Sequence, residues 1–352
     1  MVPATATALQ PSDDGDPAAL VTAVVVHFGE PGPTRRCLDS LSALTHVVLV
    51  DQPPLRFGAH PVITRRIETE ANIGFAAACN RAVSCVTTPF VLLLNNDAVL
   101  EEGAAARLFA AAAAMPEDAG GACLKLLSMD GRTIQSVGGL LFTSDGIGFP
   151  RGFGEADRGQ YDDLPAESVG APSGACALYR TGAWRRAGGM RDEFFCYCED
   201  GDLGLRMVAL GYRFVSEPQV VVRHELSSSS SSHSMFKAFH VERNHFLTMV
   251  HSAPAATLLA LPLRTLSRLA RLGFDAARNT GAGAGLAGTA PASELVRTLL
   301  RAWLSSARMF AGAWRVRRAL LRQDARAIER VGHFLRTHRA SLSDFARSRG
   351  SA

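Results

Sequence analysis

Short apolar runs alternate with amphipathic segments along the first 100 residues of the chain. Residues 21–28, 46–51 and 89–94 are runs rich in valine and leucine, which are typical of strands buried on both faces of a parallel sheet. Residues 33–44 and 75–86 lie between these runs and carry apolar side chains at helical spacing. This β-α-β-α-β order predicts an α/β fold, in which helices cover a mostly parallel sheet.

Polar residues follow the predicted strands. Asp51 closes the second apolar run, and Asn95, Asn96 and Asp97 follow the third. Ligands of open α/β sheets bind beyond the carboxyl ends of the strands, so these are candidate binding residues. Asn and Asp also favour turns, and under that interpretation residues 95–97 only end the strand.

A second acidic group stands immediately before a predicted helix at residues 203–210. Its members are Glu199, Asp200 and Asp202. Acids at a helix N-terminus cap backbone N–H groups and interact favourably with the helix dipole. Capping accounts for one acid but hardly for three, so we expect a chemical role for this group. A predicted strand at residues 212–222 then leads to His224.

The chain lacks the glycine motifs that hold phosphates in two large classes of enzyme. No G-x-G-x-x-G motif directly follows the first predicted strand, which argues against a nucleotide-sugar epimerase or reductase, and no G-x-x-x-x-G-K-[ST] motif occurs. Residues 27–31 read HFGEP, whereas a sugar-phosphate nucleotidyltransferase would carry a Gly-rich loop with Arg or Lys there. A carboxylate-bound divalent metal is the usual substitute for neutralising diphosphate oxygens.

The last third of the chain is basic. Residues 251–352 contain 17 arginines, no lysine and 5 acids, a net charge of +12, so the first 250 residues carry −8 of the total of +4. Residues 294–321 predict an amphipathic helix with arginines every seventh residue along its edge. Its apolar stripe comprises Leu300, Trp303, Leu304, Ala307, Ala311 and Trp314. With residues 258–274 it suits an anionic membrane surface, or alternatively packs on the preceding domain or on another subunit.

Three regions follow from these patterns. Residues 1–20 are rich in Ala, Pro, Thr and Asp and predict a disordered tail, residues 21–250 a catalytic domain, and residues 251–352 a basic helical region. The seven cysteines lack the paired C-x-x-C spacing of zinc sites, and no secretion signal or apolar run of about 18–20 residues is present. We therefore expect reduced thiols and a cytoplasmic protein.

Four motifs occur in a fixed order. They are VVV at residues 24–26, EANIGFAAACN at 70–80, LLLNND at 92–97 and FFCYCEDGDL at 194–203. Together they resemble the ordered signature of inverting family 2 glycosyltransferases, the rhamnosyltransferase-like branch in particular. The resemblance covers residues 21–250 and implies the GT-A nucleotide-sugar transferase fold, followed by a C-terminal helical segment.

The resemblance implies roles for the acidic groups. Asp97 matches the D-x-D-type acid that binds a divalent metal, Mg or Mn, and the donor diphosphate, although the first position of that motif is an Asn here. His224 matches the residue that completes the metal shell. Asp200 matches the general base that deprotonates the acceptor hydroxyl with inversion, and Glu199 and Asp202 have supporting roles.

The resemblance also implies a donor-binding set. Asp51 matches the strand-end acid that contacts the nucleoside, and Asn72 and Gly74 match a loop that lies against the donor. The remaining donor-site candidates are Asn80, Asn95, Asn96 and Arg243. Residues 172–178 resemble the stretch that precedes the acceptor site. Residues 52–54 (QPP) depart from the polar turn usual in the family, so uracil and thymine both stay open as the base.

Rhamnose from a dTDP or UDP donor is the first expectation for the transferred sugar. The expected acceptor is a cell-wall, polysaccharide or lipid-linked glycan, reached by an enzyme that is peripheral on the inner face of the plasma membrane. Galactofuranosyl and N-acetylhexosaminyl transfer are alternatives within the same fold. A catalytically inactive module that binds nucleotide sugars is an alternative of a different class. No nucleic-acid partner is expected.

Overall fold

The computed structural model describes residues 17–225, 234–278 and 291–340. Most of the predicted disordered tail lies outside these residues. Its last four, Pro17–Leu20, form one turn of 3-10 helix before the first strand.

A nine-stranded sheet forms the centre of the described part of the chain, in the order β3-β2-β1-β4-β10-β6-β11-β5 with β7 paired to β6. β1, β2, β3 and β4 are parallel, β6 is parallel to β11, and β10 is antiparallel to both neighbours. A separate ribbon joins β8 and β9. The strands are β1 (Val21–His27), β2 (His46–Asp51), β3 (Arg65–Glu68), β4 (Phe90–Asn95), β5 (Ala98–Leu100), β6 (Ala119–Ser128), β7 (Ile134–Ser136), β8 (Leu140–Phe142), β9 (Gly148–Pro150), β10 (Cys176–Arg180) and β11 (Arg213–His224).

Helices cover the sheet and continue beyond it. They are α1 (Pro31–Asp39), α2 (Phe75–Ser84), α3 (Ala104–Ala114), α4 (Thr181–Arg186), α5 (Glu199–Ala209), α6 (Met235–Ser252), α7 (Ala255–Ala277), α8 (Ala292–Gln323) and α9 (Ala327–Thr337). The boundary that we expect at residue 250 falls inside α6. The predicted strands and helices occur in the predicted order, with one additional strand, β3, between β2 and α2, and the sheet is mostly parallel, as predicted.

Two hydrophobic cores lie on opposite faces of the sheet. Along β1, Val24 and Val26 belong to one core, whereas Ala23 and Val25 belong to the other. Every residue of β1 is buried because both faces are covered. This double burial explains why the strands read as continuous apolar runs rather than as alternating patterns.

The register of the strands brings separate polar segments to one edge of the sheet. Val26 at the end of β1 lies opposite Asn95 at the end of β4. The chain then turns into β5, which pairs antiparallel with the end of β11, so that His224 lies opposite Ala98. A residue more than 120 positions further along the chain is thereby placed beside Asp97.

The helix predicted at residues 203–210 begins earlier, at Glu199, so the acidic group forms its first turn instead of preceding it. α5 is buried along most of its length, and Gly204 lets it approach the loop before β10. A methyl group on Gly204 would lie 2.5 Å from the Ala171 side chain. This close approach sets the distance between α5 and residues 173–175.

The helices after residue 250 pack on the preceding domain. α8 lies along α6, where Ala302 and Ala313 are buried and Arg317 Nη1 donates to the Ala253 carbonyl at 2.6 Å. After α9, the chain pairs with β8, because Phe142 N donates to His338 O and Ala340 N donates to Phe142 O, both at 2.8 Å. Among the described residues, no helix is long and apolar enough to cross a bilayer.

The close packing at Gly204 predicts how a larger side chain there changes the free energy of unfolding. Gly204→Ala should lower the free energy of unfolding by about 1–3 kcal/mol, because overpacking forces α5 and residue 171 apart. Gly182→Ala in α4 is the matched control, since a methyl group there meets nothing within 4 Å. It should be neutral or gain up to about 1 kcal/mol from helix propensity. Equal urea midpoints for the two variants would contradict this packing.

Candidate active site

A pocket of about 460 Å³ opens at the carboxyl ends of β1 and β4. It is lined by residues between Val26 and Lys237, and eight of the twelve predicted site residues take part in its wall. These eight are Asn72, Gly74, Asn95, Asn96, Asp97, Glu199, Asp200 and His224. The volume lies in the range of small-molecule and cofactor sites.

Asp97 and His224 face each other in this pocket. Asp97 Oδ1 lies 3.1 Å from His224 Nε2. Gln135 determines the histidine tautomer, because its amide nitrogen donates to the His224 carbonyl at 2.9 Å and leaves its oxygen 2.6 Å from Nδ1. An oxygen at that distance accepts from an Nδ1–H, so in the neutral ring the lone pair of Nε2 points at Asp97.

Two electron-pair donors at 3.1 Å need a proton or a cation between them. A histidine whose second nitrogen is hydrogen-bonded to an amide oxygen is the usual arrangement for a metal ligand. No group of three or more His, Cys, Asp or Glu side chains suited to a metal occurs in the described ranges. Asp97 and His224 therefore fit a divalent cation only if other oxygens, such as those of a diphosphate, complete its shell.

Asn95 and Asn96 flank this pair differently. Asn95 Nδ2 lies 3.4 Å from His224 Nε2, so its amide borders the same space. Asn96 Nδ2 donates to Thr34 Oγ1 at 3.0 Å, and Thr34 in turn contacts His27 at 2.7 Å. Asn96 thus ties the turn after β4 to the start of α1.

Glu199 and Asp200 line the same pocket with two carboxyl groups. Asp200 accepts from the Gly174 and Gly201 backbone N–H groups at 2.8 and 2.7 Å. Burial raises the pKa of Asp200, although these two hydrogen bonds oppose the rise. Burial and the neighbouring Asp200 charge raise the pKa of Glu199 to about 8. Glu199 Oε2 is buried without a hydrogen-bond partner among the described residues.

The two carboxyl groups therefore lie in different environments, although burial raises the pKa of both. Glu199, with its pKa near 8, holds its proton. Asp200 is stabilised as a carboxylate by two N–H donors. Paired acids in unlike environments can divide acid and base roles between them.

The loop before α5 has a strained backbone. Phe195, Tyr197 and Cys198 all have positive φ, between 65° and 68°, which is uncommon for residues other than glycine. The Asn244 side-chain amide lies within 3.0 Å of the carbonyls of Phe194, Cys196 and Tyr197. Because these contacts hold the loop, its residues keep their place in the pocket wall.

Gly74 packs directly on this loop. Its φ is +83°, and a methyl group at this position would lie 2.5 Å from the Phe195 carbonyl oxygen. Asn72 Oδ1 accepts from Gly74 N at 2.9 Å and so shapes the turn into α2. Gln52 Oε1 accepts from the preceding backbone amide, Ile73 N, at 2.9 Å. The predicted donor loop is therefore a rigid part of the pocket rim.

Asp51 and Asn80 lie outside the pocket wall. Asp51 is fully buried, where its Oδ1 accepts from Phe57 N at 3.2 Å and its Oδ2 lies 3.7 Å from Arg66 Nη1. It shapes the loop after β2, and its neighbour Gln52 reaches the pocket instead. Asn80 exchanges two hydrogen bonds with the Met190 backbone, at 2.6 and 2.9 Å.

Arg243 also lies outside the wall. Its guanidinium donates to the Glu193 and Phe194 carbonyls, both at 2.9 Å, and supports the strained loop together with Asn244. The sequence suggested that Arg243 faces phosphate. The structure instead directs it to backbone oxygens, which take up its hydrogen bonds.

Asp202 points away from the pocket into the protein. Its carboxylate accepts from Arg206 at 2.8 Å and lies 2.5 Å from His251 Nδ1, and all three side chains are buried. Burial opposes ionisation of Asp202, but the charges of Arg206 and His251 outweigh it and lower the pKa to about 2. Asp202 anchors α5 to α6 and does not reach a ligand in the pocket.

Several residues that line the pocket were not among the site residues predicted from the sequence. Lys237, at the start of α6, lines the pocket with its ammonium 5.5 Å from the centre of the Tyr197 ring, and burial lowers its pKa. It is one of only two lysines in a chain of 352 residues, and that rarity was the available signal. Phe236 beside it carries no sequence signal, because an aromatic residue on a helix usually indicates core packing.

A second cleft of about 610 Å³ adjoins the pocket, and Phe236 lines both. Arg297 and Arg301 of α8 line it with two positive charges, and Glu294 of the same helix adds one negative charge. Neither arginine pairs with an acid among the described residues, and Arg301 lies 6.0 Å from the centre of the Phe239 ring. The two arginines can therefore contact an anionic group in this cleft.

The model of glycosyltransferase-like family 2 matches residues 57–244, more than half of the 352 residues. The chain belongs to glycosyltransferase family 2. The resemblance inferred from the four motifs is confirmed, and so are the GT-A fold and the assignment as a transferase enzyme. The matched span contains every predicted site residue except Asp51.

Among curated proteins, this family 2 chain is similar to N-acetylglucosaminyl-diphospho-decaprenol L-rhamnosyltransferase of Mycobacterium tuberculosis. The two are 28% identical over 264 residues, which cover 66% of this chain and 85% of the relative. The sequences from two strains of that organism give the same values. The rhamnosyltransferase-like branch inferred from the motifs is consistent with this match.

Two solved structures are also similar. A mannosyltransferase from Pyrobaculum calidifontis, in complex with GDP-mannose and Mn2+, is 18% identical, with a TM-score of 0.48 and 91% of each chain covered. TarS residues 1–349 from S. aureus, in complex with UDP-GlcNAc, is 14% identical, with a TM-score of 0.47 and 90% of each chain covered.

The buried Asp202 cluster predicts a loss of stability. Asp202→Asn should cost about 3–5 kcal/mol, because it leaves buried cationic partners uncompensated. The lowered pKa means that Asp202 stabilises the fold fully above its unfolded-state pKa of about 3.9 and loses that effect as pH falls towards 2. Denaturant titrations should therefore show the variant and wild type converging as pH falls from about 4 to 2.

Asp118→Asn is the matched control, since Asp118 pairs with Arg213 at an exposed site. Its unfolding midpoint should equal that of the wild type. A wild-type-like midpoint for Asp202→Asn at pH 7 would contradict a structural role for the buried cluster.

Proposed function

We propose that this enzyme is an inverting, metal-assisted glycosyltransferase in which Asp200 is the general base. The proposal rests on two groups of side chains in one pocket, which we call its two poles. The first is Asp97 with His224, which converge on a cation position, and the second is the Glu199–Asp200 pair, which lines the same pocket. This layout suits a donor diphosphate at the first pole and an acceptor hydroxyl at the second.

The donor side is supported by charge and by shape. A divalent metal bound at this pole would neutralise the diphosphate leaving group. Asp97 and His224 would hold it, and Asn95 borders the same space. Lys237 adds a cation to the lining of the pocket. Asn72, Gly74 and Gln52 form the rim against which the nucleoside lies.

The acceptor side depends on the orientation of Asp200. Two backbone N–H groups hold its carboxylate, and Gly174 approaches it so closely that a methyl group there would lie 3.2 Å from Asp200 Cβ. An acceptor hydroxyl hydrogen-bonded to this carboxylate loses its proton as it attacks the anomeric carbon. Glu199, protonated at neutral pH, lies beside it and avoids a second negative charge.

Rhamnose from a dTDP or UDP donor is the proposed sugar, and a lipid-linked diphosphate glycan is the proposed acceptor. The M. tuberculosis relative, whose name states this chemistry, supports both choices. The cleft lined by Arg297 and Arg301 supports the acceptor, since it offers unpaired positive charge next to the pocket. Galactofuranosyl and N-acetylhexosaminyl transfer remain the alternatives within the fold. We propose that the enzyme works in the cytoplasm, at the inner face of the plasma membrane.

An inactive module that binds nucleotide sugars is the competing proposal from a different class. Two observations oppose it. Such a module needs no base, yet two N–H groups hold the Asp200 carboxylate, and the pKa of the neighbouring Glu199 is raised to about 8. It also needs no strained loop, yet Phe195, Tyr197 and Cys198 keep positive φ around this pair.

The test compares Asp200→Asn with Glu199→Gln in an assay of rhamnose transfer from dTDP-rhamnose to N-acetylglucosaminyl-diphospho-polyprenol. Asp200→Asn should lower kcat at least about 100-fold, the usual contribution of a general base. Glu199→Gln should keep transfer within about tenfold at pH 7, because glutamine resembles the protonated acid. Wild-type kcat should fall as pH drops through the raised pKa of Asp200, since the base is then protonated.

Nucleotide binding by both variants is the control, and it should match the wild type. The reverse pattern, with Glu199→Gln inactive and Asp200→Asn active, would move the base to Glu199. Full activity in both variants would overturn the assignment of this pole.

A further inference from the structure

Most of the exposed large apolar side chains of the described residues lie on two helices, α7 and α8. Eleven of fourteen belong to these helices. They are Leu259, Leu263, Leu266, Phe274, Val296, Leu300, Trp303, Leu304, Phe310, Trp314 and Leu321. Isolated exposed apolar residues are normal, but a concentration of this size marks an interaction surface. We call this set the α7–α8 face.

α7 turns its apolar stripe outward. Leu259 is 85% exposed and Leu263 is 73% exposed, and both share the outer stripe with Leu266 and Phe274. The inner side of the helix is attached to the protein. Arg268 pairs with Asp145 and Glu242, at 2.6 and 2.7 Å. α7 therefore buries Leu261 and holds Arg268 against the domain, while a second set of apolar side chains on the same helix faces outward.

α8 has three distinct sides. Small and polar residues, among them Ala302, Ser306 and Ala313, are buried against α6. The predicted apolar stripe lies on another side, where Leu304 is 57% exposed. The arginines that recur every seventh residue form a third edge between them, and they are Arg301, Arg308 and Arg315. Hence the stripe does not pack on the catalytic domain. Packing on that domain was one of the alternatives that the sequence left open.

A groove of about 500 Å³ joins the two helices and opens on this face. Leu261, Pro262 and Leu266 of α7 line one wall, and Trp303 and Phe310 of α8 line the other. The groove makes the two stripes one continuous apolar surface.

The charge around the surface indicates its partner. Residues 255–274 and 295–323 contain no acid. No acid pairs with Arg308 or Arg315 in the described part of the chain. A second copy of the chain docked on the same face would bring these arginine edges together without counter-charges. Anionic lipid headgroups supply those charges, while Trp and Leu enter the acyl boundary.

We propose that the α7–α8 face docks on an anionic lipid bilayer and lies in its interface without crossing it. The link to the acceptor rests on the proposed function, because a lipid-linked glycan reaches the enzyme from such a surface. The cleft of Arg297 and Arg301 begins at the same helix and leads through Phe236 to the catalytic pocket. The docked face thus leaves the pocket beside the membrane.

The experiment measures binding of the full chain to vesicles of phosphatidylcholine alone and of phosphatidylcholine with phosphatidylglycerol, by co-sedimentation. The wild type should bind the anionic vesicles and lose affinity as salt rises. L263E/L304E should weaken binding at least about 100-fold, because each leucine contributes about tenfold or more when buried in the interface. M129E is the control, since Met129 is also exposed but lies on a turn after β6.

Both variants should keep the wild-type thermal midpoint, because the replaced side chains are exposed. Equal vesicle binding by L263E/L304E and M129E would overturn the proposal. A wild type that forms dimers in sedimentation and ignores vesicles, with L263E/L304E monomeric, would overturn it in favour of self-association. Vesicle binding by a wild type that binds no nucleotide would uphold the docking face and defeat the proposed function instead.

Discussion

The buried contact of Asp202 with Arg206 and His251 determines where the chemistry of this enzyme takes place. Asp202, in the first turn of α5, pairs with Arg206 one turn further along the same helix and with His251 at the end of α6. Two residues from the same turn, Glu199 and Asp200, are then directed outward into the pocket. One acid of the EDGD sequence, Asp202, has a structural role, and it fixes the helix turn that places its neighbours in the pocket wall.

The two poles of the pocket reach their positions by different means. Asp97 follows a central parallel strand, whereas His224 arrives through the antiparallel pairing of β5 with β11. Gln135 then orients the histidine ring. At the other pole, Asn244 holds a loop whose backbone is strained at three residues. Both poles are therefore organised before any ligand arrives, which is the arrangement that electrostatic catalysis requires.

Much of this could be predicted from the sequence. Continuous apolar runs predicted the parallel strands. The ordered motifs predicted the family and seven residues of the pocket wall, and His224 followed from the same resemblance. Asp51, Asn80, Asp202 and Arg243 were placed in the site because motif membership does not show which way a side chain points. Each is turned towards a buried partner or a backbone group. Lys237 and Phe236 were missed because they enter the pocket from a helix that no motif covers.

The apolar stripe of α8 was correctly predicted from the sequence, but its partner was not. Periodicity shows that a helix has an apolar face and does not show what covers it. The most direct test of the central claim, a metal-assisted diphosphate site between Asp97 and His224, is calorimetry with UDP, dTDP and GDP, with and without Mn2+ or Mg2+. The account predicts metal-dependent binding of at least one nucleotide by the wild type and none by Asp97→Ala. Absence of binding under every condition, or equal binding by the variant, would contradict it.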